Sequence, residues 1–220
     1  MIDFRIISLF PGSSDILLDL NLKKQLVAVS HECLDNNYYN DLPKVTSTCI
    51  NTNVSQSEID SQVRDKLKKK EPIYQINVNL INKLKPTHIL TQDVCDVCAV
   101  SSNTIEVTLK DTRCELPNDI EIISLNSKTF SGICNDVLLV GKIFDKKNEA
   151  NEIVYLAKKK WNSLKKSKNH KKLLMLEWIN PPFSPGHWIP EQIELAGFKC
   201  LFSSPGDVSK TLTWDEVHNK

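Results

Sequence analysis

The strongest constraint in this chain is a repeated plan, a short apolar run that empties directly into a polar loop. RIISLF at Arg5 to Phe10 meets the turn PGSS, and LVAVS at Leu26 to Ser30 meets His31, Glu32 and Cys33. HILT at His88 to Thr91 delivers Gln92, Asp93, Cys95 and Cys98, and Leu173 to Trp178 runs into NPPFSPGHW at Asn180 to Trp188. Runs of this kind read as strands, and between the first two, Ile16, Leu17, Leu18 and Leu20 supply the apolar side of a short helix. That β-α-β opening predicts an α/β fold with parallel strands. In open sheets of this class ligands collect beyond the carboxyl ends of the strands, where short loops hold polar groups above a rigid floor.

The remaining segments fit the same class. Ser55 and Glu58 make an S-x-x-E capping box before a helix that ends in KLKKK, and Pro86 stops a small helix closing over Leu80 to Leu84. Asn103 with Glu106 starts another short helix, and Ile120 to Leu125 is the next strand. Phe130 to Phe144 carries Ile133, Val137, Leu138, Val140 and Ile143 at helical spacing. A second helix, roughly Glu149 to Lys166, has the stripe Ile153, Leu156, Ala157, Trp161 and Leu164. Pro190 opens a helix that closes at Gly197, and Lys199 to Phe202 is an edge strand. His31 to Asn53 reads as irregular, and a stretch of that length is often functional.

Charge and cysteine usage exclude several classes. With 28 Lys and Arg against 27 Asp and Glu the net charge is +1, far from the balance of a nucleic-acid binder. The ten lysines from Lys146 to Lys172 read as a solvated face, and the aromatic residues do not interleave with them, so no nucleic-acid partner is expected. Seven cysteines are too few, and odd in number, for a disulfide scaffold. The start MIDFRIISLF has no basic region before a long apolar core, and no window reaches the roughly 18 to 20 apolar residues that span a bilayer. As written, the chain is expected to be cytoplasmic, and periplasmic if an upstream signal belongs to it.

Three clusters carry chemistry. His31, Glu32 and Cys33 combine imidazole, carboxylate and thiol, although adjacency points neighbouring side chains apart. Cys95 and Cys98 form a lone C-x-x-C beside Asp93, compatible with a redox pair, half of a metal site or two pocket-lining thiols. The segment Glu177 to Trp188 is the most informative. Its prolines reduce the entropy lost when a loop is held in one shape, Trp178, Phe183 and Trp188 offer broad apolar faces, and Glu177 and His187 add polar contacts. That composition suits a large, partly planar, amphipathic ligand. No nucleophile elbow, zinc helix or phosphate loop is present, so no enzyme activity and no catalytic cofactor is expected.

RIISLFPGSSDIL, SHEC at Ser30 to Cys33, TQDVCDVCAV at Thr91 to Val100 and LEWINPPFSPGHWIPEQIELAG at Leu176 to Gly197 together resemble the cobalamin-type (vitamin B12 and iron-chelate) ABC transporter substrate-binding proteins. The resemblance covers essentially the whole chain. It implies two Rossmann-like α/β lobes joined by a long helix, with a lobe at residues 1–128, a helical connector at 129–170 and a second lobe at 171–220. The ligand, a corrinoid such as cobalamin, lies between the lobes, faced by His31, Glu32, Cys33, Asp93, Cys95 and Cys98 on one side and Glu177, Trp178, Pro182, Phe183, His187 and Trp188 on the other.

A monomer that docks to an ABC permease through surface carboxylates such as Glu191 or Glu194 is implied as well. Two other roles are compatible with the same residues: a cytosolic corrinoid or metal-chelate sensor or carrier, and a cysteine- or metal-dependent enzyme using His31, Asp93, Cys95 and Cys98. Only 50 residues follow the connector, so the second lobe is expected to be incomplete.

Overall fold

The computed structural model describes residues 3–34, 37–94, 101–102, 104–105, 120–164 and 171–220. A four-stranded sheet forms the centre of the first lobe: β1 (Ile6–Ser8), β2 (Leu26–Val29), β5 (His88–Thr91) and β6 (Glu121–Ser124) stand in the order β2-β1-β5-β6, all parallel. Side chains alternate across a strand, so one face receives Ile6, Leu90 and Ile123 and the other Ile7, Ile89 and Ile122. Both faces are covered, which is why these strands read as continuous apolar runs.

On the first face lie α1 (Pro11–Asp19), α5 (Phe130–Ile143) and α6 (Lys147–Ser163), contributing Leu17, Val137, Val140 and Val154 to one core. Ile81 of α4 (Val78–Leu84), with Val45 and Ile105, closes the other. The remaining first-lobe elements are α2 (Asn37–Asn40), β3 (Thr46–Thr48), α3 (Gln56–Lys69) and β4 (Tyr74–Ile76). Both halves of the Ser55–Glu58 capping box form at the start of α3.

Several elements differ from the sequence expectation. PGSS is not a turn but the first turn of α1, because Pro11 sits where a missing N–H costs no hydrogen bond and Ser13 donates back to the Phe10 carbonyl at 3.0 Å. The stretch from His31 to Asn53 contains β3, which pairs antiparallel with β4, a long-range pairing that local pattern does not announce. The stripe expected on the second connector helix is half right. Ile153, Ala157 and Trp161 turn inward with Ala150 and Val154, but Leu156 and Leu164 are exposed. The helix expected at Asn103 to Glu106 has both ends outside the described residues.

Between α5 and α6 the chain turns sharply. A Cβ on Gly141 would collide with the Ala150 side chain and stand 2.9 Å from the Lys146 carbonyl, so this crossing requires glycine. Phe130 and Trp161 stack across the pair with centroids 4.0 Å apart and planes 5° off parallel.

The second lobe is smaller. The strand expected at Leu173 to Trp178 is split: β7 (Lys172–Leu173) pairs in parallel with β10 (Lys199–Cys200), while β8 (Trp178–Ile179) folds back on β9 (Pro182–Phe183). Each half finds a different partner, and Leu174 and Met175 between them are exposed. Helix α7 (Ile189–Leu195) packs on β10 through buried Ile193 and Leu195, and α8 (Trp214–His218) ends the order behind a complete Thr213–Glu216 capping box. Among the described residues two hydrogen bonds tie the lobes: the Phe130 N–H donates to Glu191 at 2.7 Å, and Arg64 Nη2 donates to Thr211 at 3.1 Å.

Candidate functional site

The carboxyl ends of β2, β5 and β6 bring the first-lobe candidates to one edge of the sheet. His31 follows β2, and its Nδ1 lies 2.8 Å from Thr46 Oγ1, which also accepts the His31 N–H. Its ring is tilted against Tyr74 with centroids 5.6 Å apart, and Glu32 accepts a hydrogen bond from the same Tyr74 hydroxyl at 3.3 Å. Burial pushes the His31 imidazole below its ordinary pKa, and Glu32 only partly opposes this, so the ring is neutral at pH 7. Cys33 turns the other way. It is 1% exposed, its sulfur is 3.3 Å from Ser14 Oγ, and burial raises its thiol pKa, so it sits in the core as a neutral thiol.

Tyr74 and Thr46, which organise this corner, come from the antiparallel β3–β4 pair that sequence reasoning missed. The available signal was the short β-branched and aromatic pattern of TST and YQI. Asp93, after β5, accepts hydrogen bonds from Ser124 Oγ at 2.6 Å, Ser102 Oγ at 2.7 Å and the Ser102 N–H at 2.8 Å. Burial acts to raise the Asp93 pKa, but these donors outweigh it and hold the carboxylate below its ordinary value. Asp93 therefore ties the end of β5 to Ser124 of β6 and to Ser102. Cys95 and Cys98 lie outside the described residues. Among the described residues no three His, Cys, Asp or Glu side chains are grouped to hold a metal ion.

In the second lobe the segment Glu177 to Trp188 is fixed from outside by residues 204–212. The Glu177 carboxylate accepts the Gly186 N–H at 2.8 Å and the Ser209 hydroxyl at 2.5 Å. The Ser184 N–H donates to the Lys210 carbonyl, the Lys210 N–H donates to Ser184 Oγ, and Leu212 donates to the Pro182 carbonyl. A Cβ on Gly186 would collide with Ser209 Oγ and lie 2.6 Å from the Ser209 backbone nitrogen, so only glycine admits this approach. Trp178 and Phe183 are paired across the β8–β9 hairpin, and Pro182 is buried. These residues build the support.

His187 is different. It holds the left-handed conformation at φ 55°, with its N–H donated to Asp207 at 2.6 Å and its carbonyl accepting from Gly206 at 2.9 Å. The ring lies 5.8 Å from that of Trp188, and its buried Nε2 has no hydrogen-bond partner among the described residues. Burial lowers its pKa, the nearby Glu177 raises it and Lys128 lowers it further, leaving a neutral imidazole at pH 7. Lys128 belongs to the segment after β6, and Glu191 at the start of α7 caps Phe130 in the same region. The loop bearing His187 and Trp188 thus stands next to the carboxyl edge of the first lobe's sheet. The Glu191 carboxylate, expected as a docking group, is spent on this internal contact, whereas Glu194 is exposed.

A family model described as periplasmic binding protein matches residues 6–219, nearly the whole chain. The chain belongs to the periplasmic binding protein family. Solved structures agree on the fold. The periplasmic heme-binding protein HutB of Vibrio cholerae superposes with a TM-score of 0.68 at 19% identity, covering 99% of this chain and 73% of that one. The periplasmic vitamin B12-binding protein BtuF of Vibrio cholerae gives 0.63 at 16% identity, covering 97% and 71%. IsdE of S. aureus, solved in complex with heme, gives 0.64 at 16% identity, covering 94% and 69%. No curated protein sequence matches.

As a periplasmic binding protein the chain has a two-lobed α/β fold joined by a helical connector, and it is a ligand-binding protein. Among the described residues no helix is long and apolar enough to cross a membrane.

Proposed function

We propose that this periplasmic binding protein holds a planar metal chelate of the tetrapyrrole class, with a corrinoid as the first choice, between its two lobes, and passes it to an ABC permease. The observation that carries the proposal is His187, a neutral imidazole whose Nε2 has no partner among the described residues, on a hydrogen-bonded loop beside the carboxyl edge of the first lobe's sheet. A nitrogen in that state suits a metal centre or a hydrogen-bond group of a bound chelate. The tilted rings of Trp188 and, on the other lobe, Tyr74 and His31 offer apolar faces of the kind a macrocycle covers. Glu194 supplies an exposed carboxylate on the second lobe for a permease contact.

Heme is the second choice, supported by the same imidazole and by the heme-binding relatives HutB and IsdE. The family points to action outside the cytoplasmic membrane. The test is a titration of the purified chain with cobinamide, cobalamin and hemin, followed by calorimetry and by the visible spectrum. Saturable binding of one chelate at micromolar concentration, with a spectral shift lost in His187→Ala, is expected. Absence of saturable binding by all three at tens of micromolar would overturn the proposal.

A further inference from the structure

The charge of this chain is segregated. Residues 146–172 hold ten lysines and only two carboxylates, Glu149 and Glu152, giving +8 in a chain whose total is +1, so the rest carries −7. The C-terminal half of helix α6, from Ile153 on, holds three lysines and no carboxylate. The inward side of the helix is defined by Ala150, Ile153, Val154, Ala157 and the Trp161 stack. Around the exposed remainder, in the last two turns, Lys159 stands opposite this inward side and Lys158 and Lys160 stand on its two flanks, all three exposed.

Beside these lysines stand apolar groups that the fold leaves in water. Tyr155 is 63% exposed, Leu156 54% and Leu164 49%. Leu156 lies three residues before Lys159 and four before Lys160, and Tyr155 lies three before Lys158 and four before Lys159, so each apolar group has two lysines as helix neighbours. Cationic ammonium groups next to exposed aliphatic and phenolic side chains match an interface that is negative at its surface and apolar just beneath. A nucleic acid would satisfy the lysines but would give Leu156 and Leu164 no complement. We propose that the outward face of α6 is a docking surface for an anionic phospholipid membrane, with Lys158, Lys159 and Lys160 at the headgroups and Tyr155 and Leu156 at the acyl boundary. This surface is separate from the lobe junction and does not depend on the ligand.

The experiment is co-sedimentation of the full chain with vesicles of phosphatidylglycerol and phosphatidylcholine, against vesicles of phosphatidylcholine alone and a random-sequence DNA duplex. Binding to the anionic vesicles only, weakened by added salt, is expected. Lys158→Gln, Lys159→Gln and Lys160→Gln should each reduce it roughly fivefold. Leu156→Ser should reduce it about threefold while leaving the far-ultraviolet spectrum and thermal midpoint unchanged, because the side chain is exposed. No binding to anionic vesicles, equal binding to neutral ones, or binding that survives the triple glutamine variant would overturn the proposal. So would DNA binding of equal strength with no effect of Leu156→Ser, which would assign the lysines to nucleic acid.

Discussion

Glu191 accepts the backbone N–H of Phe130 at 2.7 Å, so a carboxylate from the second lobe caps the first helical residue of α5, 61 positions earlier in the chain. A carboxylate suits that place because the first N–H groups of a helix have no intrahelical acceptor and carry partial positive charge. Glu191→Ala is expected to cost about 1–2 kcal/mol, with Glu191→Gln intermediate because it keeps an acceptor. Urea unfolding curves measure both. An unchanged midpoint for the alanine variant would deny the contact a structural role.

The stacked pair Phe130 and Trp161 joins α5 to α6 close to that cap. Trp161→Ala is expected to destabilise by about 2 kcal/mol. A double-mutant cycle with Phe130→Ala should show a coupling of about 1 kcal/mol, and a coupling near zero would mean that the rings do not hold the helices together.

Stability is expected to fall as the pH drops below 6.5. Burial lowers the pKa of His88, which sits between Phe4 and Phe144, and the Glu121 carboxylate 3.4 Å away only partly restores it. His31 and His187 shift the same way from 6.5, also through burial. A folded pKa below the unfolded value means that the unfolded chain takes up protons first, so stability is complete above 6.5 and declines towards the lower folded values. The low pKa of Asp93 acts only under 3.8, and the pKa of Asp136, raised by burial, acts above 3.8 with the opposite sign. Thermal melts from pH 8 to pH 5 should therefore show a fall that is smaller in His88→Gln.

Thiol reactivity should single out one residue. Cys33, Cys134 and Cys200 are buried with raised pKa values, while Cys49 is partly exposed. In a variant with Cys95, Cys98 and Cys114 replaced by serine, one thiol is expected to react rapidly with an aromatic disulfide reagent at pH 8, and Cys49→Ser should remove it. Rapid modification of Cys33 would contradict its place in the core.

Glu177 holds the loop that carries His187 through two hydrogen bonds. Glu177→Ala is expected to destabilise by about 2–3 kcal/mol and to weaken chelate binding more than tenfold without touching the ligand. Glu177→Gln, which loses one acceptor, should fall between, as calorimetry on the two variants can show.

Much of this architecture is legible in the order of residues. Ile6, Ile7, Ile89 and Leu90 lie in short runs whose apolar character persists on both faces of a parallel sheet, and Ser55–Glu58 is a local device that needs no partner elsewhere. Leu156 and Leu164 were misplaced because a helical stripe gives several acceptable inward faces, and Ala150, Val154 and Trp161 won through contacts with α5. Tyr74 escaped notice because β4 is defined only by its pairing with Thr46 to Thr48.

The sequence by itself determined the α/β class, the order of the main elements and the loops where polar and aromatic groups gather, since these follow from periodicity, capping and turn chemistry between near neighbours. Tertiary structure alone decided that Cys33 is buried while His31 and Glu32 meet at Tyr74, that Glu191 serves α5, and that the buried Nε2 of His187 has no hydrogen-bond partner among the described residues. Those outcomes depend on which distant segments pack together, and burial and hydrogen bonding across such distances have no signature in the local order of residues.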